Sequence, residues 1–537
     1  MDQREPSLLL QSIEPLIDSV RSATCESQKK GKLVSGTENY SFREKVSIVG
    51  FLALFATLLA LITSRHEMFL DEVQPWLIVR NAHGILPVIQ HLRYECHPAL
   101  WFVLLYIASR ISSNVITMQC VNFVLAVSMA LVVLSARTLP MAVRVLIVFG
   151  VSVFYVSGVL ARDYMLAGLL LTFAARCFVA RPQRHWLGMV SIALAINSHF
   201  LAIPVALSIV TWLYVLSPAM DLASVKSKLR ERRFWTSVAL IAIALIVCYF
   251  TVRPAADITA RRSFSGGSLL GYFVLCVGRV CHYFLPVSPD ANGSIQNGSL
   301  ALPAYVDFLA TSFLFLIALS ALPSKRGRYF VITASVLWAT AATATVGAPT
   351  ENHTTFIFVS FAIGLLANRP EDRTGSWLPS YVAEPLLLAL LSIQVAVCAE
   401  FCIKEWTSPF SSGKPVAEWL EAAGLAGHPL VAQSQLSAPA VLAYTGMPTA
   451  YFTACRCSFP FVLYSRAWQN ERQVSREELE FLKSSTGKSP VVLSGWQISQ
   501  NDQRQLGLHL VYESPKGWGF RAEDVFVYLA NDVQAKL

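Results

Sequence analysis

The chain has 537 residues, of which 54% are hydrophobic and only 14% are charged. Soluble globular proteins usually carry about 25% charged residues, so the composition excludes an ordinary soluble enzyme and indicates several membrane-spanning helices. The net charge of +9 comes from short basic clusters between apolar segments. Basic clusters in that position are typical of cytoplasmic loops, so the charge gives no reason to expect nucleic acid as a partner.

Residues 1–45 are polar and mixed in charge, and they predict a cytoplasmic tail rather than a signal peptide. Residues 46–403 predict a polytopic α-helical membrane domain with about eleven spans. The apolar runs that predict these spans are 47–64, 116–135, 141–159, 163–180, 186–199, 200–216, 234–251, 301–322, 329–347, 355–367 and 383–401.

Basic residues between the runs fix the predicted orientation. The cluster from Val225 to Arg233 and the shorter basic loops alternate without conflict if all of them are cytoplasmic. This arrangement requires 98–111 to be a re-entrant or surface helix and 267–287 to stay on the outer side. The N-terminus is then inside and the C-terminus outside.

The last part of the chain, 404–537, predicts a small soluble α/β domain on the outer face. Short β-like runs such as HPLVAQ, PVVLSGW, LHLVYE and DVFVYLA alternate there with helical patterns such as SREELEFLKS. Most of the eleven cysteines lie in apolar runs, as expected of packing residues. Cys455 and Cys457 are so close in sequence that no disulfide is expected between them.

With that orientation, polar residues from five segments converge on the outer side of the membrane. They are Asp71, Glu72, Arg93, Glu95 and His97; Arg162 and Asp163; Asn197 and His199; Arg253 and Asp257; and Glu351, Asn352 and His353. Ionisable residues at membrane depth are costly and usually face a cavity or a partner. Any one of them could instead be a solvated helix end or a topology anchor.

Such a face suits a reaction on a lipid-linked phosphate. A carboxylate at the boundary can act as general base toward a hydroxyl group, and a nearby arginine can hold a phosphate by paired hydrogen bonds. Glycosyl transfer from a lipid phosphate needs both groups, because the acceptor loses a proton while the leaving phosphate gains charge.

The sequence FLDEVQPWLIVRNAHGILPVIQHLRYECHPALWFVLLY resembles the first outer loop of GT-C glycosyltransferases, in the branch of polyprenyl-phosphate-dependent protein mannosyltransferases and aminoarabinose transferases. The segments ARDYMLAGLLL, NSHFLAIP and PFSSGKPVAEWLEAAG are similar to later parts of that family. Two positions depart from its pattern: Cys96 stands where many relatives have Gly, and Glu351-Asn352-His353 replaces a more basic pair.

The resemblance implies an integral membrane glycosyltransferase that moves a sugar from a polyprenyl-phosphate carrier to a lipid, glycan or protein, in the membrane of a bacterial cell envelope and on its outer face. It implies that Asp71 is the catalytic base and that Glu72 supports it or helps to hold a divalent metal. Arg162 and Arg93 would bind the donor phosphate. The remaining residues that would line the site are His97, Tyr164, Asn197, His199 and His353.

Other interpretations of these residues remain open. Asp71 and Glu72 could cap the helix that follows them, His97 could belong to a turn, His199 could only join two helices, and Arg162 could be an interfacial anchor. At the level of the whole protein, a lipid-linked glycan transporter or a polysaccharide polymerase or ligase would have a similar outline. A transporter predicts polar residues along the whole path across the membrane.

Overall fold

The computed structural model describes residues 41–180, 184–216, 226–227, 229–258, 269–282, 304–345, 351–367, 377–435, 438–468, 471–519 and 524–531. Most of the tail predicted over 1–45 lies outside the described residues. Up to residue 407 the described chain is helical, and from residue 430 it also contains strands.

All eleven apolar runs form helices. The helices of this part are α1 (Phe42–Thr63), α2 (Leu70–Asn81), α3 (Ile85–Glu95), α4 (Ala99–Ile111), α5 (Ile116–Leu134), α6 (Met141–Phe149) with a π-helix at Ser152–Val159, α7 (Asp163–Ala180), α8 (His185–Ile196), α9 (Ala202–Ile209) with a π-helix at Val210–Val215, α10 (Arg232–Val252), α11 (Leu269–His282), α12 (Ala304–Ala321), α13 (Lys325–Thr345), α14 (Glu351–Leu366) and α15 (Ser380–Thr407).

Five helical segments among the described residues are long and apolar enough to cross a membrane by length and composition. They are Phe42–Thr63, Ile116–Leu134, Met141–Val159, Arg232–Val252 and Ser380–Thr407. These five segments make the protein a polytopic membrane protein. Several of the other apolar helices are shorter, so the number of spans stays a prediction. Ala99–Ile111 has 13 residues, about 20 Å of helix, which is too short for the hydrocarbon core and fits the predicted surface or re-entrant position.

The loop after α1 folds into two short helices, α2 and α3, followed by α4. Cys96 ends α3 in the left-handed conformation, with φ 56°. Glycine adopts this conformation with the least strain. The sharp turn at Cys96 brings His97 and Pro98 to the start of α4.

The C-terminal part contains a six-stranded sheet with helices, as its sequence pattern predicts. Its elements are α16 (Gly413–Ala422), β1 (Leu430–Ala432), α17 (Ala438–Thr445), β2 (Ala450–Phe452), β3 (Cys457–Phe459), a 3₁₀ turn at Arg466–Trp468, α18 (Arg476–Thr486), β4 (Val491–Ser494), α19 (Gln500–Leu506), β5 (Leu508–Glu513) and β6 (Phe526–Ala530). The strand order is β3-β2-β1-β4-β6-β5, and β1 runs parallel to β2 and β4.

One face of this sheet shares a hydrophobic core with the loop after α1. Alternate strand residues such as Val491 and Leu493 pack in the same cluster as Trp76 of α2 and Trp101 of α4. The residue between them, Val492, belongs to a second cluster on the opposite face, as the period of two along a strand requires. The predicted domain boundary at 404 falls inside α15, and the sheet is built onto the loop that carries the acidic pair.

The expectation about Cys455 and Cys457 is wrong, because the two residues form a disulfide. Arg456 between them has φ 55°. This left-handed residue turns the chain between β2 and β3, so that the two sulfur atoms face each other although only one residue separates them.

Candidate active site

A cavity of about 1110 Å³ lies next to the loop after α1, between α2, α9, α10 and α13. One end of it is polar and is lined by Asp71, Gln74, Glu95, His97, Arg162 and Asp163. Most of the remaining lining is apolar, with Ile203 and Leu207 on α9, Leu245 on α10, and Leu337 and Ala341 on α13. The cavity therefore joins a small charged region to a larger apolar region.

Asp71 and Arg162 form an ion pair at the polar end. Arg162 Nη1 lies 3.4 Å from Asp71 Oδ2, and the side chains keep 11% and 27% of their accessible surface. Asp71 is in the first turn of α2 and Arg162 directly precedes α7. The Arg162 guanidinium also lies over the Tyr164 ring, 5.0 Å from its centroid. The long distance and residual exposure leave room for a ligand that would exchange partners with this pair.

Glu72 points away from the cavity into the core. Its side chain is fully buried, and its Oε1 accepts a hydrogen bond from the Ala161 amide at 2.6 Å. Its Oε2 accepts bonds from His66 Nε2 at 2.8 Å and from the Phe69 amide at 3.3 Å. Adjacent helical residues point about 100° apart, so only one acid of the pair can face the cavity. Both oxygens of Glu72 are occupied by protein donors, so neither is open to a substrate or a metal ion.

His66 joins Glu72 to the end of the last long helix. Its Nδ1 lies 2.7 Å from Oε1 of Glu405, which also accepts a 2.5 Å hydrogen bond from Tyr155. Burial alone would lower the pKa of His66, but Glu72 and Glu405 raise it to about 10. The ring is therefore a cation that donates from both nitrogens. We call His66, Glu72, Glu405 and Tyr155 the buried anchor.

Sequence reasoning missed the buried anchor apart from Glu72. His66 directly follows the first apolar run and Glu405 ends the last one, so both are ionisable residues at the edge of an apolar segment. That signal was present, but the pairing joins residues 339 positions apart. A single sequence gives no measure of which distant residues meet.

Glu95 is a second carboxyl group in the cavity. Burial raises its pKa to about 7, although the hydrogen bond from Gln74 opposes this and the charge of Asp71 adds to it. Gln74 donates to Glu95 Oε1 at 2.9 Å and is itself held by the backbone of Val462, with bonds of 2.5 and 3.1 Å. The C-terminal part thus fixes a side chain inside the cavity.

His97, Asp163 and His199 form a group that could be considered for a metal ion, since each places a nitrogen or oxygen within 4.8 Å of the others. His97 suits this role, because its Nδ1 donates to the Glu95 carbonyl at 2.7 Å and its Nε2 keeps a lone pair. His199 does not, because its Nδ1 accepts from the Leu201 amide at 3.0 Å. The proton of a neutral His199 is then on Nε2, which is a donor and not a ligand.

Tyr164 and His353 complete the predicted lining on the α7 and α14 side. The Tyr164 ring lies 4.8 Å from that of His199 and 6.1 Å from that of His353. His353 lines the cavity, and Tyr164 is fully buried behind it. These two residues and His199 shape the wall next to Asp163.

Two predicted residues lie elsewhere. The Arg93 side chain is exposed and is not part of the cavity wall, while its backbone carbonyl accepts from the Ala255 amide at 3.1 Å. Asn197 is not part of the wall either. Its side-chain amide donates to the carbonyls of Ala193 and Ala244, at 3.0 and 3.1 Å, and so joins α8 to α10. The structure brings neither side chain to Asp71.

No protein-family model matches the chain, and no curated protein matches it. Among solved structures, the chain is similar to the crystal structure of ArnT from Cupriavidus metallidurans in the apo state, with 13% sequence identity and a TM-score of 0.48. The alignment covers 89% of this chain and 98% of that one.

Proposed function

We propose that the protein is an integral membrane glycosyltransferase of GT-C type, which moves a sugar from a polyprenyl-phosphate carrier to a lipid, glycan or protein acceptor. The observation that carries this proposal is the Asp71–Arg162 pair at the polar end of a cavity whose other walls are apolar. A base and a phosphate-binding cation thus lie together where the phosphate of a lipid-linked donor would be bound.

The apolar walls support a lipid as the donor's carrier. Ile203, Leu207, Leu245 and Leu337 offer the cavity only hydrocarbon, and burying a lipid methylene against such side chains is worth about 0.8 kcal/mol. A soluble nucleotide sugar would gain nothing there. With the chain in the apolar part, the donor's phosphate would reach Arg162, and its sugar would lie beside Asp163 and His97.

In the proposed reaction, the donor phosphate draws Arg162 away from Asp71. The freed carboxylate takes the proton of the acceptor hydroxyl, the acceptor oxygen attacks the anomeric carbon, and the bond from that carbon to the phosphate oxygen breaks. Polyprenyl phosphate leaves with its charge neutralised by Arg162, and the anomeric configuration is inverted. Asp71 is the proposed base, and Glu72 supports it from the buried anchor.

The disulfide supports an outer-face site in a bacterial inner membrane. Disulfides persist in oxidising compartments and are rare in the cytosol. Cys455 and Cys457 belong to the same C-terminal part that holds Gln74 through Val462. If the disulfide is outside, the polar end of the cavity is outside as well.

The transporter alternative receives less support. Buried arginines at the opposite helix ends bind backbone carbonyls: Arg144 binds those of Leu134 and Leu139, and Arg328 binds that of Leu322. Arginines that donate to these carbonyls satisfy the backbone at helix ends. They do not mark a path for a polar cargo.

The test uses purified protein in detergent with a panel of radiolabelled polyprenyl-phosphate sugars and an extract of envelope lipids, glycans and proteins as acceptor. A glycosyltransferase releases free polyprenyl phosphate and labels the acceptor. A transporter leaves every donor chemically intact, because detergent removes the two compartments it would connect. Intact donors after incubation with folded protein, with acceptors of all three classes present, would contradict the proposal.

A further inference from the structure

Three polar side chains from three segments meet at the cavity wall beside the phosphate-binding end, with His199 directly behind the lining residues. His97 precedes α4, Asp163 begins α7, and His199 lies between α8 and α9. Each places a nitrogen or oxygen within 4.8 Å of the other two. His97 and Asp163 line the cavity, and Asp163 and His199 are buried to more than nine-tenths.

Their hydrogen bonds show which atoms remain for a ligand. His97 donates from Nδ1 to the Glu95 carbonyl, so its Nε2 is an acceptor. His199 accepts at Nδ1 from the Leu201 amide, so its Nε2 is a donor. Within the part of the chain that the structure describes, His199 Nε2 and Asp163 Oδ2 are buried without a partner. Buried polar atoms are usually paired, so these two call for a partner that comes from outside the chain.

The mixture of donor and acceptors restricts the chemistry of that partner to groups that both donate and accept hydrogen bonds. A divalent cation needs a lone pair from each ligand, and the N–H of His199 gives none. A phosphate group needs donors, and two of the three positions are acceptors. A hydroxyl group both donates and accepts, so it can donate to Asp163 or His97 while it accepts from His199.

We propose that His97, Asp163 and His199 form a subsite that hydrogen-bonds a hydroxyl group of the donor sugar. This inference rests on the proposed function and adds to it the residues that distinguish one sugar from another. Asp163 directly follows Arg162 in the chain, so the subsite lies next to the group that holds the donor phosphate, where the attached sugar begins. A donor that lacks the hydroxyl leaves Asp163 Oδ2 and His199 Nε2 unpaired and is rejected for that reason.

The experiment measures equilibrium affinities of purified protein in detergent for polyprenyl phosphate alone and for a panel of polyprenyl-phosphate hexoses and pentoses. Wild type should bind at least one sugar-bearing donor about tenfold or more tightly than polyprenyl phosphate alone, since each hydrogen bond to a buried group is worth a factor of that order. Asp163→Ala and His199→Ala should lose this gain and keep the affinity for polyprenyl phosphate. His199→Gln, which restores a donor, should recover part of it.

Matched controls separate this effect from a loss of folding. His91→Gln changes a histidine that packs edge-to-face against Phe461 outside the cavity wall, and it should leave the gain unchanged. Size-exclusion profiles and thermal midpoints report folding. If a buried variant does not fold, His97→Ala tests the same subsite through a partly exposed ring.

Three results would overturn the inference. The first is a gain from the sugar that persists in the alanine variants, or a wild type that shows no gain for any sugar. The second is one equivalent of Zn²⁺ retained by wild type after dialysis and lost from the variants, which would make the group a metal site. The third is a wild type that binds neither polyprenyl phosphate nor any donor; this would remove the proposed function itself, and the subsite with it.

Discussion

Asp71 and Glu72 are neighbours in sequence with opposite environments. Asp71 faces the cavity and pairs loosely with Arg162, whereas Glu72 is fully buried and accepts three hydrogen bonds. The sequence predicts both as site residues but gives no measure of how α2 is rotated. That rotation depends on Trp76 and Leu77, which pack in the core shared with the sheet.

The two predicted phosphate-binding arginines should behave differently. Arg162 lines the cavity and Arg93 is exposed outside its wall. Arg162→Gln should weaken binding of polyprenyl phosphate by about ten- to a hundredfold, the usual worth of hydrogen bonds to a charged group, and Arg93→Gln should leave it within about twofold of wild type. Isothermal titration in detergent measures both. Equal losses would show that Arg93 reaches the phosphate as the sequence analysis expects.

At the scale of elements, the buried anchor links the loop after α1 to α15 and to the π-helix at Ser152–Val159. It holds the loop through Glu72 and through the Ala161 amide, which immediately precedes Arg162. The positions of Asp71 and Arg162 therefore depend on one buried network. Breaking such a network by removing one partner typically costs about 3–5 kcal/mol, because an uncompensated charge stays behind.

The anchor predicts how stability depends on pH. The folded-state pKa of His66 is about 10, above its ordinary 6.5. A raised pKa stabilises the fold fully below about pH 6.5, and this contribution is lost as pH rises through about 10. Thermal midpoints in detergent should therefore fall from pH 7 to pH 10. Glu95, with a pKa of about 7, is half ionised at the start of this window and about nine-tenths ionised one pH unit higher, so the fall above about pH 8 is the part that reports on His66.

Glu405→Gln is the variant that assigns this pH dependence to the anchor. It removes one of the two carboxylates that raise the pKa of His66, so the fall in thermal midpoint should be smaller and should end at a lower pH than in wild type. A flat or rising midpoint in wild type, or the same profile in the variant, would contradict the assignment.

The helices and most of the strands could be predicted from the sequence, because apolar runs and alternating residues report local burial directly. The eleven runs and the strands β1, β4, β5 and β6 are confirmed as elements. The strands β2 and β3 have three residues each, too few for a period to be visible, and the Cys455–Cys457 disulfide depends on the left-handed Arg456 between them.

The candidate site could be predicted only in part. Residues on the loop after α1 carry strong local patterns, and these patterns predict Asp71 and His97 as site residues. Gln74, Glu405 and His66 act through contacts with distant segments, and the fold alone brings those segments together. The direction of a side chain decides whether the other predicted residues reach the site. Arg93 and Asn197 lie in the predicted segments, but their side chains do not line the cavity.

At the scale of the whole molecule, the C-terminal part and the loop after α1 share one hydrophobic core. The core that contains Trp76 and Trp101 also contains Leu442 and Val491. A chain that ends at residue 407 should therefore expose this core and elute as aggregate in size-exclusion chromatography, with full-length protein as the control. A monodisperse truncated protein with the wild-type thermal midpoint would show that the two parts fold separately.

The central claim is that Asp71 is the base of a glycosyl transfer from polyprenyl phosphate. The most direct measurement is the rate of polyprenyl phosphate release at saturating donor and acceptor for wild type and Asp71→Asn. Asp502→Asn, in the C-terminal part, is the matched control. We expect Asp71→Asn to lower the turnover rate by about 10²–10⁴-fold, the usual contribution of a general base, with donor affinity and thermal midpoint retained, and Asp502→Asn to match wild type. Full turnover by folded Asp71→Asn would contradict the account.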